Sequence, residues 1–295
     1  YQPMFHELQI FENPEAILLV ASIIFFFSII AGKAGFRFGL PALLLFLGVG
    51  MLFGSDGLGI QFSNPSAAQF IGMLALSIIL FSGGMDTKMS EIKPIATEGV
   101  VLATVGVLLT TLITGGFIYY VFLWSTGYET LTVAESMLMA AVMSSTDSAS
   151  VFSILRSKGV YLKQRLRPTL ELESGSNDPM AYMLTLLIIA YIQVGGMNLQ
   201  EAVLQLLVQL SVGAIAGFLL GKLAVLMINK INMDNESLYP ILLLTTAFFT
   251  FSATTLCKGN GYLAVYIAGL VVGNAKIVHK KSMGTFFDGF AWLWQ

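Results

Sequence analysis

Ser144-Ser-Thr-Asp-Ser-Ala-Ser150 and Glu173-Ser-Gly-Ser-Asn-Asp-Pro179 are two polar stretches, and each interrupts an apolar segment that is long enough to cross a bilayer. They place Asp147 and Asp178 near the middle of these segments. A charge at the membrane centre costs about 2.5–3.5 kcal/mol on insertion scales. Buried carboxylates that face a cavity can hold a cation or a proton. The two stretches therefore predict a membrane protein in which Asp147 and Asp178 have a function of this kind.

The composition around these stretches also indicates a membrane protein. The 295 residues are 56% hydrophobic and 11% charged, whereas a soluble protein averages about 25% charged residues. The net charge of −2 predicts no nucleic-acid partner. Cys257 is the single cysteine and cannot form an internal disulfide, and both histidines lie near the chain ends. We therefore expect no cofactor and no intramembrane catalytic site that uses histidine.

Apolar segments of roughly 15–25 residues recur along the chain and predict a polytopic bundle. They lie at 16–32, 40–54, 67–84, 99–124, 133–155, 170–194, 202–228, 238–256 and 262–274, and a tenth starts near Phe286. Lipid offers no hydrogen bonds to the backbone, so these segments should be helices. The loops and helix ends that follow odd-numbered segments hold every Lys and Arg except Lys258. The positive-inside rule then places the N-terminus outside.

A weak internal similarity suggests an inverted repeat. The stretch Gly39–Gly48 in the second segment resembles Gly261–Gly269 in the ninth, which has the opposite orientation. Glycine-rich helix starts also recur by chance, so the repeat is one of two interpretations. It divides a single transmembrane domain, 1–295, into a first six-helix repeat at about 16–194, a linking helix at 202–228 and the start of a second repeat at 238–295. Since the chain stops within an apolar stretch, we expect a fragment.

Both polar stretches predict distorted helices. Five of the seven residues from Ser144 to Ser150 carry hydroxyls, which compete with the backbone for hydrogen bonds, so we expect local unwinding that frees carbonyls for a cation. In the second stretch Pro179 removes a backbone donor and Gly175 lies four residues earlier, so we expect that turn to open as well. Secondary transporters use broken helices of this kind near the midplane.

The oxygen atoms in these stretches suit a hard monovalent cation. Asp178, Glu173, Ser174 and Thr146 can supply them. Asp178 and Glu173 are five residues apart and lie about 140° apart on an ideal helix. Both can approach one ion only if the helix distorts or Glu173 reaches across. A carboxylate that holds a cation can instead take a proton, and this competition is what exchange requires.

Together the motifs resemble those of the monovalent cation:proton antiporter-1 family. Thr146-Asp147 and Glu173-Ser174-x-x-Asn177-Asp178 carry the resemblance, and Ser145–Ser153 and Asp288-Gly-Phe-Ala-Trp292 are similar to its bacterial potassium/proton antiporter, or cell-volume-regulation, branch. The resemblance covers essentially the whole chain. It implies an all-α polytopic membrane protein with a sodium/proton antiporter-like inverted-repeat fold, broken helices at the midplane and a truncated second repeat.

The resemblance implies a secondary transporter, and not an enzyme, that exchanges K⁺ or Na⁺ for H⁺. Asp178 would alternate between cation and proton. The other ligands of the monovalent cation would be Glu173, Ser174 and Thr146. The resemblance also implies a homodimer in a bacterial inner membrane, with a role either in pH homeostasis or in volume and K⁺ homeostasis.

Three further residues would support the site. By the resemblance, Asp147 would pair with Asn177 and hold the unwound segment against the helix that contains Pro179. An Asn at position 177 would indicate electroneutral, one-for-one exchange. Asp147 could instead neutralise helix ends, and Asp178 could cap a broken helix. Glu173 could pair with a basic residue that this sequence does not contain.

Two other function classes stay open at this point. Asp147 and Asp178 could form the dyad of an intramembrane aspartyl protease, but the Gly-x-Gly-Asp arrangement is absent and Asn177 would have no role. A cation channel needs a selectivity filter, and no repeated filter loop is present. The stripe Gly213, Gly217 and Gly221 fits either packing within the chain or a dimer interface.

Overall fold

The computed structural model describes residues 14–294 except 39, 41, 56, 61, 63, 129–130, 148–161, 164 and 197. The described residues form helices and no strand. In chain order the helices are α1 (Pro14–Phe38), α2 (Ala42–Phe53), α3 (Pro65–Asp86), α4 (Met89–Thr126), α5 (Val133–Met143), α6 (Leu166–Val194), α7 (Leu199–Lys230), α8 (Leu238–Leu256), α9 (Gly261–Asn274) and α10 (Lys280–Trp294). This confirms the all-helical prediction.

Helix length separates two groups among the described helices. Five are long and apolar enough to cross a membrane, judged by length and composition alone: α1, α3, α4, α7 and α8. Helices α2, α5 and α9 are apolar but have 12, 11 and 14 residues, fewer than the roughly 20 that a complete crossing needs. Helix α6 has 29 residues and carries the polar motif. The short helices are therefore the ones next to irregular backbone.

The chain divides into two compact units. The first contains α1, α2 and the start of α3 up to Met73. Within it, α1 and α2 pack as a hairpin, in which the backbone N–H of Leu40 donates to the Gly35 carbonyl at 3.0 Å. The second unit contains residues 74–147 and 162–294. All of the predicted site residues belong to this second unit.

Small residues bring α7 and α9 into close contact in the second unit. The α carbons of Gly213, Gly217 and Gly221 face the backbone of Asn260, Ala264 and Ala268, in that order. A methyl group at Gly217 would lie 2.4 Å from the Ala264 carbonyl oxygen. Packing within the chain therefore explains the glycine stripe, as one of the two interpretations predicted.

Helix α3 packs on another side of α9 by the same means. An added Cβ at Gly269 would lie 2.3 Å from the Phe81 carbonyl oxygen, and one at Gly273 would lie 2.1 Å from that of Met85. Phe81, Val265, Val272 and their neighbours on α8 and α10 form the main buried core of the unit. Helix α9 is thus fixed in position by close backbone contacts on two sides.

The last helix begins earlier than the sequence indicated. Helix α10 starts at Lys280 and not near Phe286, and its buried residues Met283, Phe287 and Ala291 recur every four positions on one face of the helix. Lys280 sits in the first turn, where a cation opposes the helix dipole. Its Nζ donates to the carbonyl oxygens of Gly273 and Ala275 at the end of α9, where a cation is favourable.

We expect the contact between α7 and α9 to tolerate no added methyl group. Gly217→Ala should lower the free energy of unfolding by about 1–3 kcal/mol, because the new Cβ meets backbone that cannot rotate away. Gly116→Ala in α4 is the matched control: its Cβ meets nothing within 4 Å, and the substitution should be neutral or stabilising. The measurement is the thermal unfolding midpoint of both variants in detergent. Equal midpoints would contradict the close contact.

Candidate ion-binding site

The first half of the site is the segment that follows α5. A capping box starts this helix: the Glu135 N–H donates to Thr132 Oγ1 at 3.2 Å, and the Thr132 N–H donates to Glu135 Oε2 at 2.8 Å. The helix ends at Met143, where the Ser144 hydroxyl donates back to the Ala141 carbonyl at 2.7 Å. Residues 144–147 are not helical. The predicted unwinding is confirmed for these four residues, and 148–150 lie outside the described residues.

The second half of the site is α6, where one prediction was wrong. Helix α6 runs without a break from Leu166 to Val194, through Pro179. Proline removes only the hydrogen bond that the Gly175 carbonyl would accept, and neighbouring helices can compensate such a loss. Asn260 at the start of α9 donates through Nδ2 to the Pro179 carbonyl at 2.9 Å. The end of the Tyr266 ring lies against Gly175, where a Cβ would lie 2.6 Å from it.

Hydrogen bonds tie the unwound segment to α6 at Thr146. The Thr146 hydroxyl lies 3.0 Å from both carboxylate oxygens of Glu173 and donates to them. The Thr146 carbonyl accepts from Ser174 Oγ at 3.0 Å and from Asn177 Nδ2 at 3.3 Å. A main-chain carbonyl freed by the end of α5 is thus satisfied by side chains of α6.

Asn177 is the best-buried polar residue of the site, with none of its surface exposed. Its Nδ2 donates to Thr146 Oγ1 at 2.6 Å and to Glu173 Oε1 at 2.9 Å. Glu173 and Asn177 are four residues apart and therefore lie on one face of α6. Asp147 lies in the unwound segment and is exposed, and its pairing with Asn177 stays a prediction.

Asp178 reaches the same segment one residue earlier, at Ser145. The Ser145 hydroxyl donates to Asp178 Oδ1 and also lies 3.4 Å from Asn177 Oδ1. Sequence reasoning did not single out Ser145, since it was one hydroxyl among five. Glu173 and Asp178 point in different directions from α6, and each contacts a different residue of the unwound segment. Glu173 accepts from Thr146, and Asp178 accepts from Ser145.

The burial of these side chains forms a gradient across the site. Asn177 is buried, while Glu173, Ser174 and Asp178 are partly buried, and Thr146 and Asp147 are exposed. Two carboxylates, three hydroxyls and a backbone carbonyl therefore gather where partial access remains. Oxygen ligands of this kind suit a hard cation.

A separate ion pair lies at the start of α6. Arg167 Nε is 2.8 Å from Glu171 Oε1, with the two residues four apart on the helix. The hydrogen bond and charge of Glu171 raise the pKa of Arg167 above its usual value. Glu171 is thus partly buried and paired.

The described residues thus form an all-helical polytopic fold with carboxylates beside an unwound segment, an arrangement that secondary transporters use. The chain belongs to the sodium/hydrogen exchanger family, whose transmembrane family model matches residues 15–293. This confirms the family resemblance seen in the motifs. The family is one of transporters and not of enzymes.

Similar proteins agree with this assignment. A protein of Alkalimonas amylolytica named K⁺/H⁺ antiporter NhaP is 38% identical over 279 residues, which cover 94% of this chain and 47% of that protein. The K⁺/H⁺ antiporter NhaP2 of Shewanella sp. strain ANA-3 is 35% identical over 287 residues, 96% of this chain and 48% of that protein. The chain spans about half the length of these curated relatives.

A solved structure shares the fold. The sodium proton antiporter MjNhaP1 from Methanocaldococcus jannaschii superposes with a TM-score of 0.76 at 23% identity, covering 94% of this chain and 67% of that one. At this identity the likeness bears on the fold alone, and it confirms the sodium/proton antiporter-like architecture.

The hydrogen bonds of Asn177 generate a prediction about stability. Asn177→Ala should lower the free energy of unfolding by about 1–3 kcal/mol, because it leaves buried polar partners unsatisfied. It should also speed amide hydrogen exchange in residues 144–147, which lose their attachment to α6. Asn232→Ala, at an exposed position in the loop before α8, is the control and should change neither quantity. Unchanged exchange in Asn177→Ala would show that other contacts hold the segment.

Proposed function

We propose that this protein is a secondary active antiporter that exchanges a monovalent cation for H⁺, with K⁺ as the first candidate and Na⁺ as the second. The observation that carries the proposal is Asp178, a partly buried carboxylate within α6 that is bonded to an unwound segment. The names of the NhaP and NhaP2 relatives support K⁺. Glu173, Ser174 and Thr146 complete the proposed ion site.

Ser145 supplies a way for one carboxylate to hold either ion. A hydroxyl is both a donor and an acceptor, and its hydrogen rotates to suit its neighbour. It donates to Asp178 when the carboxylate is ionised. With a cation on Asp178 the hydroxyl can turn its lone pairs to the ion, and with a proton there it can accept from the carboxylic acid. Cation and proton then compete for Asp178 within one arrangement of the backbone.

In this proposal the exchange is electroneutral, because the residue beside Asp178 is Asn177 and not a second carboxylate. Asn177 joins Thr146 to Glu173 through neutral amide hydrogen bonds, so it adds no second titrating carboxylate beside Asp178. One proton then leaves for each monovalent cation that binds. Asp147 and Pro179 support the site from its two sides, the first in the unwound segment and the second in α6. The transported ions are substrates, and the proposal includes no cofactor.

The wider setting is proposed from the positive-inside pattern and the family. The protein would lie in a bacterial inner membrane with its N-terminus outside, as a homodimer that contributes to pH homeostasis. The six-helix repeat at 16–194, the linking helix at 202–228 and the second repeat from 238 onward are part of this proposal. The unwound segment of the first repeat would then have an inverted counterpart in the second.

Antiport can be tested in everted vesicles that carry the full-length protein and a respiration-generated pH gradient. Added K⁺ or Na⁺ should dissipate the gradient, as followed with a pH-sensitive dye, and Asp178→Ala should abolish this response because no carboxylate remains to exchange the ions. Asp234→Ala, at an exposed loop position, is the control and should retain activity.

Three results would overturn the proposal. If no cation dissipated the gradient at any pH from mildly acidic to alkaline, with well-inserted protein, the antiporter interpretation would fail. Cation flux that needs no proton movement would instead favour a channel. Cleavage of a peptide substrate that both Asp147→Asn and Asp178→Asn abolish would favour a protease.

The proposed role of Ser145 can be separated from a general effect of serine loss. Ser145→Ala should raise the cation concentration for half-maximal exchange about tenfold, since a hydrogen bond to a charged group contributes roughly 1.5 kcal/mol or more. Ser144→Ala removes a neighbouring hydroxyl that bonds only to its own turn, at Ala141, and should leave this concentration within about twofold, a difference of less than 0.5 kcal/mol. Equal effects in both variants would assign no special role to Ser145.

A further inference from the structure

Two lysines on α7 have no use in the proposed ion site. Lys222 lies inside the apolar segment 202–228, about 9 Å before its end at the helical rise per residue. Lys230 is the last residue of α7. Both side chains are exposed, and among the described residues no carboxylate forms an ion pair with either one. An ionisable group within a transmembrane segment calls for a partner.

The partner that the structure gives Lys222 is an aromatic ring. Its Nζ lies 4.6 Å from the centre of the Phe218 ring, one turn earlier on α7. A contact of this kind is worth less than the cost of leaving an ammonium group in the hydrocarbon region. The Phe218 ring therefore does not compensate the charge of Lys222, whereas a bound anion would compensate it.

A groove lies beside these lysines, between the last turns of α7 and α9. It has a volume of about 580 Å³, and its lining includes the apolar side chains of Val225, Leu226 and Val271 and the cationic side chains of Lys222 and Lys230. Residues 222, 225, 226 and 229 recur at helical spacing, so they form one face of α7. The groove thus combines an apolar surface with two cationic groups.

The other polar side chains of the groove already have partners. Asn229 donates to the Lys276 carbonyl at 2.9 Å and accepts from the Val278 N–H at 3.2 Å. Asn274 donates to the Thr87 carbonyl at 2.8 Å and accepts from the Met89 N–H at 2.7 Å. The two lysines are consequently the groups available to a ligand, and they select for negative charge.

We propose that this groove binds an anionic phospholipid. The Lys222 side chain would turn from Phe218 toward Lys230, and the phosphate would lie between the two ammonium groups, whose α carbons are about 12 Å apart along the helix. An acyl chain would lie along Val225, Leu226 and Val271. Basic pockets between transmembrane helices hold anionic head groups by this combination of charge and apolar contact. The proposal does not depend on antiport activity, so the two can fail separately.

Lipid-dependent stabilisation of the full-length protein in detergent tests the proposal. Dioleoyl phosphatidylglycerol should raise the thermal unfolding midpoint, and dioleoyl phosphatidylcholine should not. The double substitution Lys222→Gln and Lys230→Gln should weaken the apparent affinity for phosphatidylglycerol about thirty-fold, from two interfacial lysines. Native mass spectrometry should show a retained phosphatidylglycerol in the parent protein and its loss in the double variant.

Matched variants keep the outcome decisive. Lys222→Arg with Lys230→Arg retains the charge and should retain the lipid effect, which guards against a folding defect in the glutamine variant. Lys93→Gln with Lys281→Gln removes two exposed charges that do not line the groove and should behave as the parent. Equal stabilisation of the glutamine variant, equal stabilisation by phosphatidylcholine, or the same effect from inorganic phosphate alone would each overturn the proposal.

Discussion

The end of α5 at Met143 sets the constraint on which the site depends. In a bilayer, a carbonyl that leaves a helix has no water to bind and must find another donor. The Thr146 carbonyl finds two donors on α6, the Ser174 hydroxyl and the Asn177 amide. The polar residues of α6 are therefore needed to stabilise a broken helix, whatever ion they also hold. Fold and site share one set of hydrogen bonds.

This arrangement requires that α6 itself stay helical. Glu173, Ser174 and Asn177 reach one segment because positions i, i+1 and i+4 lie together on a continuous helix. Two residues further along the same helix, the Pro179 carbonyl accepts from Asn260 Nδ2 at the start of α9. The continuous helix α6 holds Glu173 and Asp178 at fixed positions beside the unwound segment that follows α5. If α6 were also unwound, their positions would not be fixed.

The sequence predicted the helices and the break well because both follow from local chemistry. The apolar segments predicted the ten helices of the described residues, and the run of hydroxyl residues from Ser144 predicted the unwinding. The prediction failed where a distant partner decided the result. Helix α6 continues through Pro179, whose carbonyl accepts from Asn260 of α9, and Lys280 in the first turn of α10 donates to carbonyls at the end of α9. Ser145 could not be told from its neighbouring serines, since only the direction of its side chain distinguishes it.

Packing around α9 links these features physically. Glycines at its interfaces with α3 and α7 allow backbone contact, so a shift of α9 must be shared by both neighbours. Asn260 connects α9 to α6 as well, because it donates to the carbonyl of Pro179, the residue after Asp178. The carboxylate is consequently anchored on its helical side by a close-packed core, and on its other side by a segment held through a few hydrogen bonds. Of the two sides, the unwound segment is held by fewer contacts, so its rearrangement costs less than a shift of the close-packed core.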